Sequence, residues 1–294
     1  MSQAPKQASY EWVVQPKENG MPLVVFLQRH LEGTEFSRRK IKGFVDAGYC
    51  TVEAKPERFS TRPLSSRQRV RLSIQVRERQ SVSIIYEDEA LLVINKSAGI
   101  TCDARLEKSL QNASRKCFLV HRLDKETTGV LLIAKSLAVR DLLNAAFAER
   151  KVTKRYCALV HGKIDPCGTI ENFLGPICKI PGKVKWGVVK TGAWAHTEWV
   201  CKMHTIRGSF VELMPTTGRT HQLRVHLAAI GHPIVGDLVY GKSEKVPAPR
   251  YFLHAWALDC LHPVTKAPMH FEAPLPEDFL HAAKQLLGRS LCAL

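Results

Sequence analysis

A short polar loop over residues 121–129 carries the side chains of this chain most able to do chemistry. It reads His-Arg-Leu-Asp-Lys-Glu-Thr-Thr-Gly and runs directly into an apolar stretch over 130–134. Such a stretch predicts a buried strand, which would hold the loop rigidly at the edge of a sheet. Arg122 is two residues from Asp124, and a nearby guanidinium favours the ionised form of a carboxylate, which is nucleophilic or basic. Asp124 is therefore the candidate catalytic group, and a purely structural ion pair in the loop is the alternative.

A second polar loop begins at Thr217 and opens a predicted helix over residues 220–230. Residues 217–227 read Thr-Gly-Arg-Thr-His-Gln-Leu-Arg-Val-His-Leu. A Gly-Arg loop at the start of a helix directs the guanidinium of Arg219 and backbone N–H groups toward one place, which suits a carboxylate or phosphate partner. Helix capping combined with surface charge is the alternative.

Tyr156 is the third candidate, within the stretch Lys-Arg-Tyr-Cys-Ala-Leu-Val-His-Gly over residues 154–162. The apolar pattern predicts a strand there. A tyrosine that faces a cleft from a strand can stack on a base and present its hydroxyl to the reacting ring. A simple core position is the alternative.

Together these segments resemble the RluA/RluD-type RNA pseudouridine synthases. In that family His-Arg-Leu-Asp-x-x-Thr-Ser-Gly-Leu surrounds the catalytic aspartate, and further blocks read Gly-Arg-Thr-His-Gln-Ile-Arg-Val-His-Leu and Tyr-x-Ala-x-Val-x-Gly. The likeness covers residues 82–275 and includes blocks at 253–256 and 262–265. Some residues depart from the family pattern: Ser97, Thr101, Cys102, Asp103, Thr128, Val130 and Lys266.

The resemblance implies a fold, a reaction and residue roles. The fold would be α+β, a bent mixed β-sheet with flanking helices and a central basic cleft. The reaction would isomerise uridine to pseudouridine within RNA, after the base has been extracted from its stack. Asp124 would act as nucleophile or base, Arg219 would pair with it, and Tyr156 would stack on uracil and assist proton transfer. Arg122 would contact the flipped nucleotide or fill the space that it leaves.

The composition favours a nucleic-acid partner. The 294 residues include 43 Lys and Arg against 27 Asp and Glu, a net charge of +16, and a soluble protein this basic usually meets a polyanion. Nine cysteines without a Cys-x-x-Cys pair argue against a disulfide framework and a zinc site. Since neither a secretory leader nor a membrane-length apolar run is evident, we expect a cytoplasmic protein.

The first 80 residues predict a separate module. Residues 1–20 are polar and predict an extended or partly disordered arm. Residues 21–80 show two amphipathic helix patterns followed by short strands, an order that resembles the αL RNA-binding domain found in front of members of this family. Residues 81–294 would form the catalytic domain. Residues 37–79 hold 12 Lys and Arg against 4 Asp and Glu, and the predicted RNA contacts are Arg38, Arg39, Lys40 and Lys42.

Other classes of function explain the sequence less well. A catalytically silent RNA-binding or ribosome-assembly factor would account for the charge, yet Asp124 is present in a matching loop. A nucleoside hydrolase normally needs two cooperating carboxylates. His221 and His226 lack metal-binding spacing and no phosphate-cradling loop appears, so we expect no metal and no cofactor. We expect a monomer that acts on large-subunit ribosomal RNA, with transfer RNA as the alternative substrate.

Overall fold

Residues 1–80 and 81–294 form two separate units in the computed structural model of this chain. The structure describes residues 7–34, 36–46, 48–75, 82–111, 116–180, 183–241, 248 and 250–291. No helix among these residues has both the length and the apolar composition needed to cross a membrane.

The first unit is a four-stranded antiparallel sheet with two helices. The strand order is β1-β4-β2-β3. Its elements are β1 (Gln7–Val13), α1 (Leu23–His30), α2 (Arg38–Asp46), β2 (Cys50–Val52), β3 (Lys55–Glu57) and β4 (Arg69–Gln75), with a 3-10 turn at Pro16–Glu18. In α2, Ile41 and Val45 are buried while Arg38 and Lys42 are exposed, so this helix presents charge to solvent. The side chains of Arg39 and Lys40 lie outside the described part.

The amino-terminal stretch differs from the expected arm over residues 1–20. Strand β1 pairs with β4 from Gln7 opposite Gln75 to Val13 opposite Arg69. Tyr10 and Trp12 pack against the core of the unit, and their rings stack at 5.7 Å. Aromatic residues at every second position fit a strand with one buried face. The packing of these rings stabilises β1 although the composition of residues 1–20 is polar. Residues 1–6 lie outside the described part.

The second unit is built on an eleven-stranded sheet. The order is β11-β10-β12-β13-β9-β14-β8-β6-β5, with β15 beside β14 and β7 beside β8. The strands are β5 (Ser83–Glu87), β6 (Leu91–Lys96), β7 (Phe118–Leu119), β8 (Thr128–Ala134), β9 (Thr153–His161), β10 (Cys167–Ile180), β11 (Lys183–Val189), β12 (Ala193–His204), β13 (Gly208–Pro215), β14 (Leu253–Leu261) and β15 (Pro268–Glu272). The helices are α3 (Ala104–Leu110), α4 (Leu137–Ala148), α5 (Gln222–Ala229) and α6 (Glu277–Leu287). This is the α+β class that the sequence predicts.

The sheet is mixed because β8 and β14 run parallel, with Thr128 opposite His254 and Gly129 opposite Ala255. All seven residues of β8 are buried, as expected for a strand covered on both faces. Gly129 has φ +111°, and a Cβ there would lie 2.1 Å from the carbonyl oxygen of Ala255. Only glycine fits at this crossing, which lies directly after the polar loop.

The helices that flank the site follow from local signals. Ser136 caps α4, since its hydroxyl accepts a hydrogen bond from the Val139 amide at 3.2 Å. In α5 every residue from Gln222 to Leu227 is buried. His221 precedes α5 in the left-handed region, with φ +56°. This sharp entry turns the loop before α5 back toward the polar loop that precedes β8.

Candidate active site

Asp124 lies on the loop between β7 and β8, and local hydrogen bonds fix this loop. The Thr127 amide donates to the carbonyl oxygen of Asp124 at 3.0 Å, and the Leu123 amide donates to the sulfur of Cys102 at 3.4 Å. The Asp124 side chain is 20% exposed. Its carboxylate can therefore reach a bound molecule while its backbone stays in place.

Lys96 also stabilises the Asp124 loop. It is fully buried, and its ammonium donates to the carbonyl oxygens of Ser97 at 3.0 Å, Ile100 at 3.0 Å and Lys125 at 3.2 Å. Burial lowers the pKa of Lys96 to about 8. One side chain thus joins two loop segments. The sequence analysis did not single out Lys96. A lysine at the end of an apolar strand is unusual and could have indicated a buried structural role.

Arg224 is the guanidinium that pairs with Asp124. Its Nη1 donates to Asp124 Oδ2 at 3.3 Å, while Nε and Nη2 donate to the two carboxylate oxygens of Asp237 at 2.7 and 3.0 Å. Arg224 is 5% exposed and Asp237 is 2% exposed. Two tyrosine rings also contact the guanidinium, and its carbon lies 4.3 Å from the ring centroid of Tyr251 and 4.9 Å from that of Tyr240. The arginine is therefore fixed before substrate binds.

The predicted Arg219–Asp124 pair is not formed, although the structure describes both residues. Arg219 is exposed and precedes α5, and its Nε donates to the carbonyl oxygen of Trp194 at 2.9 Å. Arg224 instead lies within α5, where the helix directs it into the buried cleft. Arg219 still lines the same cavity as Asp124.

Two tyrosines lie close to the carboxylate. Tyr156 lines the cavity from β9, and burial together with the charge of Asp124 raises its pKa. Tyr251 is 7% exposed, and its hydroxyl donates to Asp124 Oδ2 at 3.4 Å. Burial and then the charge of Asp124 raise its pKa as well. Both phenols hold their protons at neutral pH. Sequence reasoning missed Tyr251, which precedes the 253–256 block by two residues.

His221 places an imidazole beside the same carboxylate. Its Nε2 lies 3.9 Å from Asp124 Oδ2, and its Nδ1 hydrogen-bonds the Tyr240 hydroxyl at 2.7 Å. Burial lowers the pKa of His221, so the ring favours its neutral form. If Tyr240 donates to Nδ1, the remaining ring proton is on Nε2 and points toward Asp124. From the sequence, His221 was considered only as a possible metal ligand.

The cavity around these groups has a volume of about 120 Å³. Asp124 is the one carboxylate among the described residues that line it. Its cationic lining residues are Arg122, Lys154, Arg219 and Arg224. The structure therefore places Arg122, Tyr156 and Arg219 in the lining of the same cavity as Asp124, and it adds His221 and Arg224. Within the described ranges, no three His, Cys, Asp or Glu side chains are placed to hold a metal ion.

Comparison with known proteins defines the class. Residues 90–229 match the family model described as RNA pseudouridylate synthase. The chain is 34% identical over 278 residues to the ribosomal large subunit pseudouridine synthase D of Pseudomonas aeruginosa, which covers 84% of this chain and 86% of that protein. It is 38% identical over 202 residues to the dual-specificity RNA pseudouridine synthase RluA of Escherichia coli, with coverage of 65% and 92%.

A solved structure shows the same likeness. Human RNA pseudouridylate synthase domain containing 1 has a TM-score of 0.60 and 32% sequence identity, and it covers 68% of this chain and 86% of that one. The chain therefore belongs to the RNA pseudouridine synthase family, whose members are isomerases that act on RNA. The family and the fold expected from the sequence are confirmed.

Proposed function

We propose that this protein converts specific uridines of large-subunit ribosomal RNA to pseudouridine, with Asp124 as the catalytic group. The placement of Asp124 carries this proposal, because it is the carboxylate of a cationic cavity and is held by Arg224 and Tyr251. The ribosomal substrate is inferred from similar proteins of Pseudomonas aeruginosa and Nitrosomonas europaea, both named ribosomal large subunit pseudouridine synthase D. Transfer RNA is the alternative substrate.

The cavity residues divide the work of an isomerisation. Asp124 acts as nucleophile or base, and Arg224 orients its carboxylate through a charge-assisted hydrogen bond. Tyr156 stacks on uracil and assists proton transfer at carbon 5, for which its raised pKa provides a protonated phenol. His221 and Tyr251 supply hydrogen-bond donors toward the Asp124 carboxylate. Because the reaction changes no redox state and consumes no water, these residues suffice without a cofactor.

The first unit fits a role in RNA capture. Its helix α2 exposes Arg38 and Lys42, and the Lys and Arg excess over residues 37–79 is half of the net charge of the chain. We assign residues 21–80 to an αL-type RNA-binding module and residues 81–294 to catalysis. We place the enzyme in the cytoplasm, where ribosomal RNA is found, and expect it to act as a monomer.

The substitution Asp124→Asn tests the proposal. It keeps the shape of the side chain but removes the ionisable group, so we expect the rate to fall by several orders of magnitude with little effect on stability or RNA affinity. The measurement is single-turnover pseudouridine formation on RNA from cells that lack the gene. RNA mass must stay constant, because an isomerase releases no base whereas a hydrolase does.

Asp141→Asn is the matched control. This aspartate lies on α4, is exposed and pairs with Arg140 outside the cavity, so its substitution makes the same chemical change away from the site. We expect it to retain the wild-type rate. If Asp124→Asn keeps more than a tenth of that rate, Asp124 is not the catalytic group. If the wild-type enzyme forms no pseudouridine, the alternative of a silent RNA-binding factor is favoured.

A further inference from the structure

A second cavity adjoins the catalytic one. It has a volume of about 420 Å³ and shares lining residues with the first, among them Arg122, Lys154 and Tyr156. Its described lining contains four Lys and Arg side chains and no Asp or Glu: Arg122, Arg150, Lys154 and Arg219. A cavity with this lining attracts an anion, and the shared wall places that anion next to whatever occupies the catalytic cavity.

One tryptophan of β12 holds two of these arginines. The guanidinium carbon of Arg150 lies 5.2 Å from the centroid of the Trp194 ring, and Arg219 Nε donates to the Trp194 carbonyl oxygen at 2.9 Å. Exposed arginines usually lose conformational entropy when they bind a ligand. Here the ring and the carbonyl group of Trp194 restrict both side chains in advance. This arrangement is preorganised for an anion that two guanidinium groups can share.

The backbone of Arg150 gives an independent indication. Arg150 follows α4 with φ +59°, and its amide donates to the Phe147 carbonyl oxygen at 3.2 Å. This is the position after a helix where glycine, or sometimes asparagine, relieves the strain of the left-handed conformation. An arginine there strains the backbone, whereas glycine would not. Strain retained beside a functional cavity points to a role for the side chain.

Lys154 lies on the wall between the two cavities. It is half-buried, and its ammonium donates to the Thr217 carbonyl oxygen at 3.2 Å. Within the part of the chain that the structure describes, no carboxylate lies within ion-pair distance of it. Burial lowers its pKa, because removal from water disfavours the charged ammonium. A bound anion would supply the missing charge and accept a further hydrogen bond.

We propose that Arg150, Lys154, Trp194 and Arg219 form a phosphate subsite, which we call the Trp194 subsite, for the RNA backbone next to the target uridine. The identity of its neighbour rests on the proposed function, because the uridine is assigned to the catalytic cavity on that basis. Guanidinium groups match phosphate oxygens in a bidentate manner, and Lys154 adds a point charge. The subsite would hold the strand in register while the base occupies the catalytic cavity.

Arg150→Gly is the decisive variant, because it separates stability from binding. Glycine relaxes the left-handed backbone, so the melting temperature should stay the same or rise. Loss of one charge-assisted phosphate contact should weaken binding of a fluorescent oligouridylate roughly tenfold at low salt, with a logarithmic salt slope lower by about 0.7. Arg140→Gln is the control for charge, since Arg140 lies on α4 outside both cavities.

A second oligouridylate with uncharged methylphosphonate linkages identifies the contact. The tenfold difference between wild type and Arg150→Gly should disappear on this probe, because there is no phosphate charge to lose. Equal binding of both proteins to the normal oligouridylate overturns the subsite, as does an equal loss on both probes. Failure of the wild-type enzyme to form pseudouridine refutes the proposed function instead, while the binding comparison still tests the subsite.

Discussion

Replacement of Arg224 by methionine should damage both the fold and the reaction. Methionine is a long side chain that can still pack against Tyr240 and Tyr251, but it removes three hydrogen bonds, two to Asp237 and one to Asp124. Asp237 keeps only neutral donors among the described contacts, the amides of Val239 and Tyr240 at 3.0 and 3.2 Å. Because Asp237 is 2% exposed, the variant leaves a buried carboxylate without its cation.

The size of the effect follows from this geometry. Loss of one partner of a buried ion pair costs ~3–5 kcal/mol, which corresponds to a fall in melting temperature of roughly 10 °C for a unit of this size. Arg219→Met removes a single hydrogen bond to a carbonyl group from an exposed arginine, so it should cost less than about 1 kcal/mol. Urea unfolding followed by circular dichroism measures both free energies.

A double variant separates the structural from the catalytic effect. Asp237→Asn beside Arg224→Met removes the buried charge, and the amide oxygen can still accept from Val239 and Tyr240. Stability should recover in part, whereas the single-turnover rate at saturating RNA should stay low because Asp124 still lacks its cation. If Arg224→Met costs no more stability than Arg219→Met, Arg224 has no structural role. If the double variant regains full activity, Arg224 has no role in the reaction.

Two further predictions concern RNA affinity and pH. Four cations of α2 are to be replaced by glutamine: Arg38, Arg39, Lys40 and Lys42. This change should weaken RNA binding and flatten its salt dependence, with little effect on the single-turnover rate at saturating RNA. Affinity at several salt concentrations tests this, and normal binding with slow chemistry would instead assign the module to the active site. Burial lowers the pKa of both His226 and His254 to about 4, so each stays neutral in the fold but accepts a proton near its ordinary 6.5 once unfolded. Stability should therefore be complete above about pH 6.5 and decrease toward pH 4; a urea midpoint that stays constant from pH 7 to 5 would contradict this.

Short-range patterns in the sequence predicted much of the catalytic unit. The apolar stretch of β8, the strand pattern of β9 and the helix pattern of α5 each report a local preference, and each element is present in the structure. The long strands β10 to β12 were not recognised. In β12, buried and exposed residues do not alternate over its whole length, and a bulge interrupts its pairing with β13 between Cys201 and Met203.

The partner of Asp124 could not be identified from spacing alone. Arg219 and Arg224 lie in one motif five residues apart, and either could reach the cavity. The choice depends on where α5 begins and on the left-handed turn at His221, neither of which composition reveals. The structure also shows the backbone conformation of Lys266, one of the residues that depart from the family pattern. Lys266 has φ +62°, a conformation that glycine adopts without strain, so a lysine at this turn carries a backbone cost.

The parallel pairing of β8 with β14 sets the order in which a newly made chain can become active. Asp124 contacts Arg224, 100 residues later, and Tyr251, 127 residues later. Contacts this distant in sequence form slowly, because a long loop must close before they contribute any stability. A nascent chain still held at residue 220 on the ribosome carries the whole Asp124 loop, yet it has neither Arg224 nor the strand that fixes Gly129. We therefore expect the site around Asp124 to be complete only after Arg224 and Tyr251 have been synthesised.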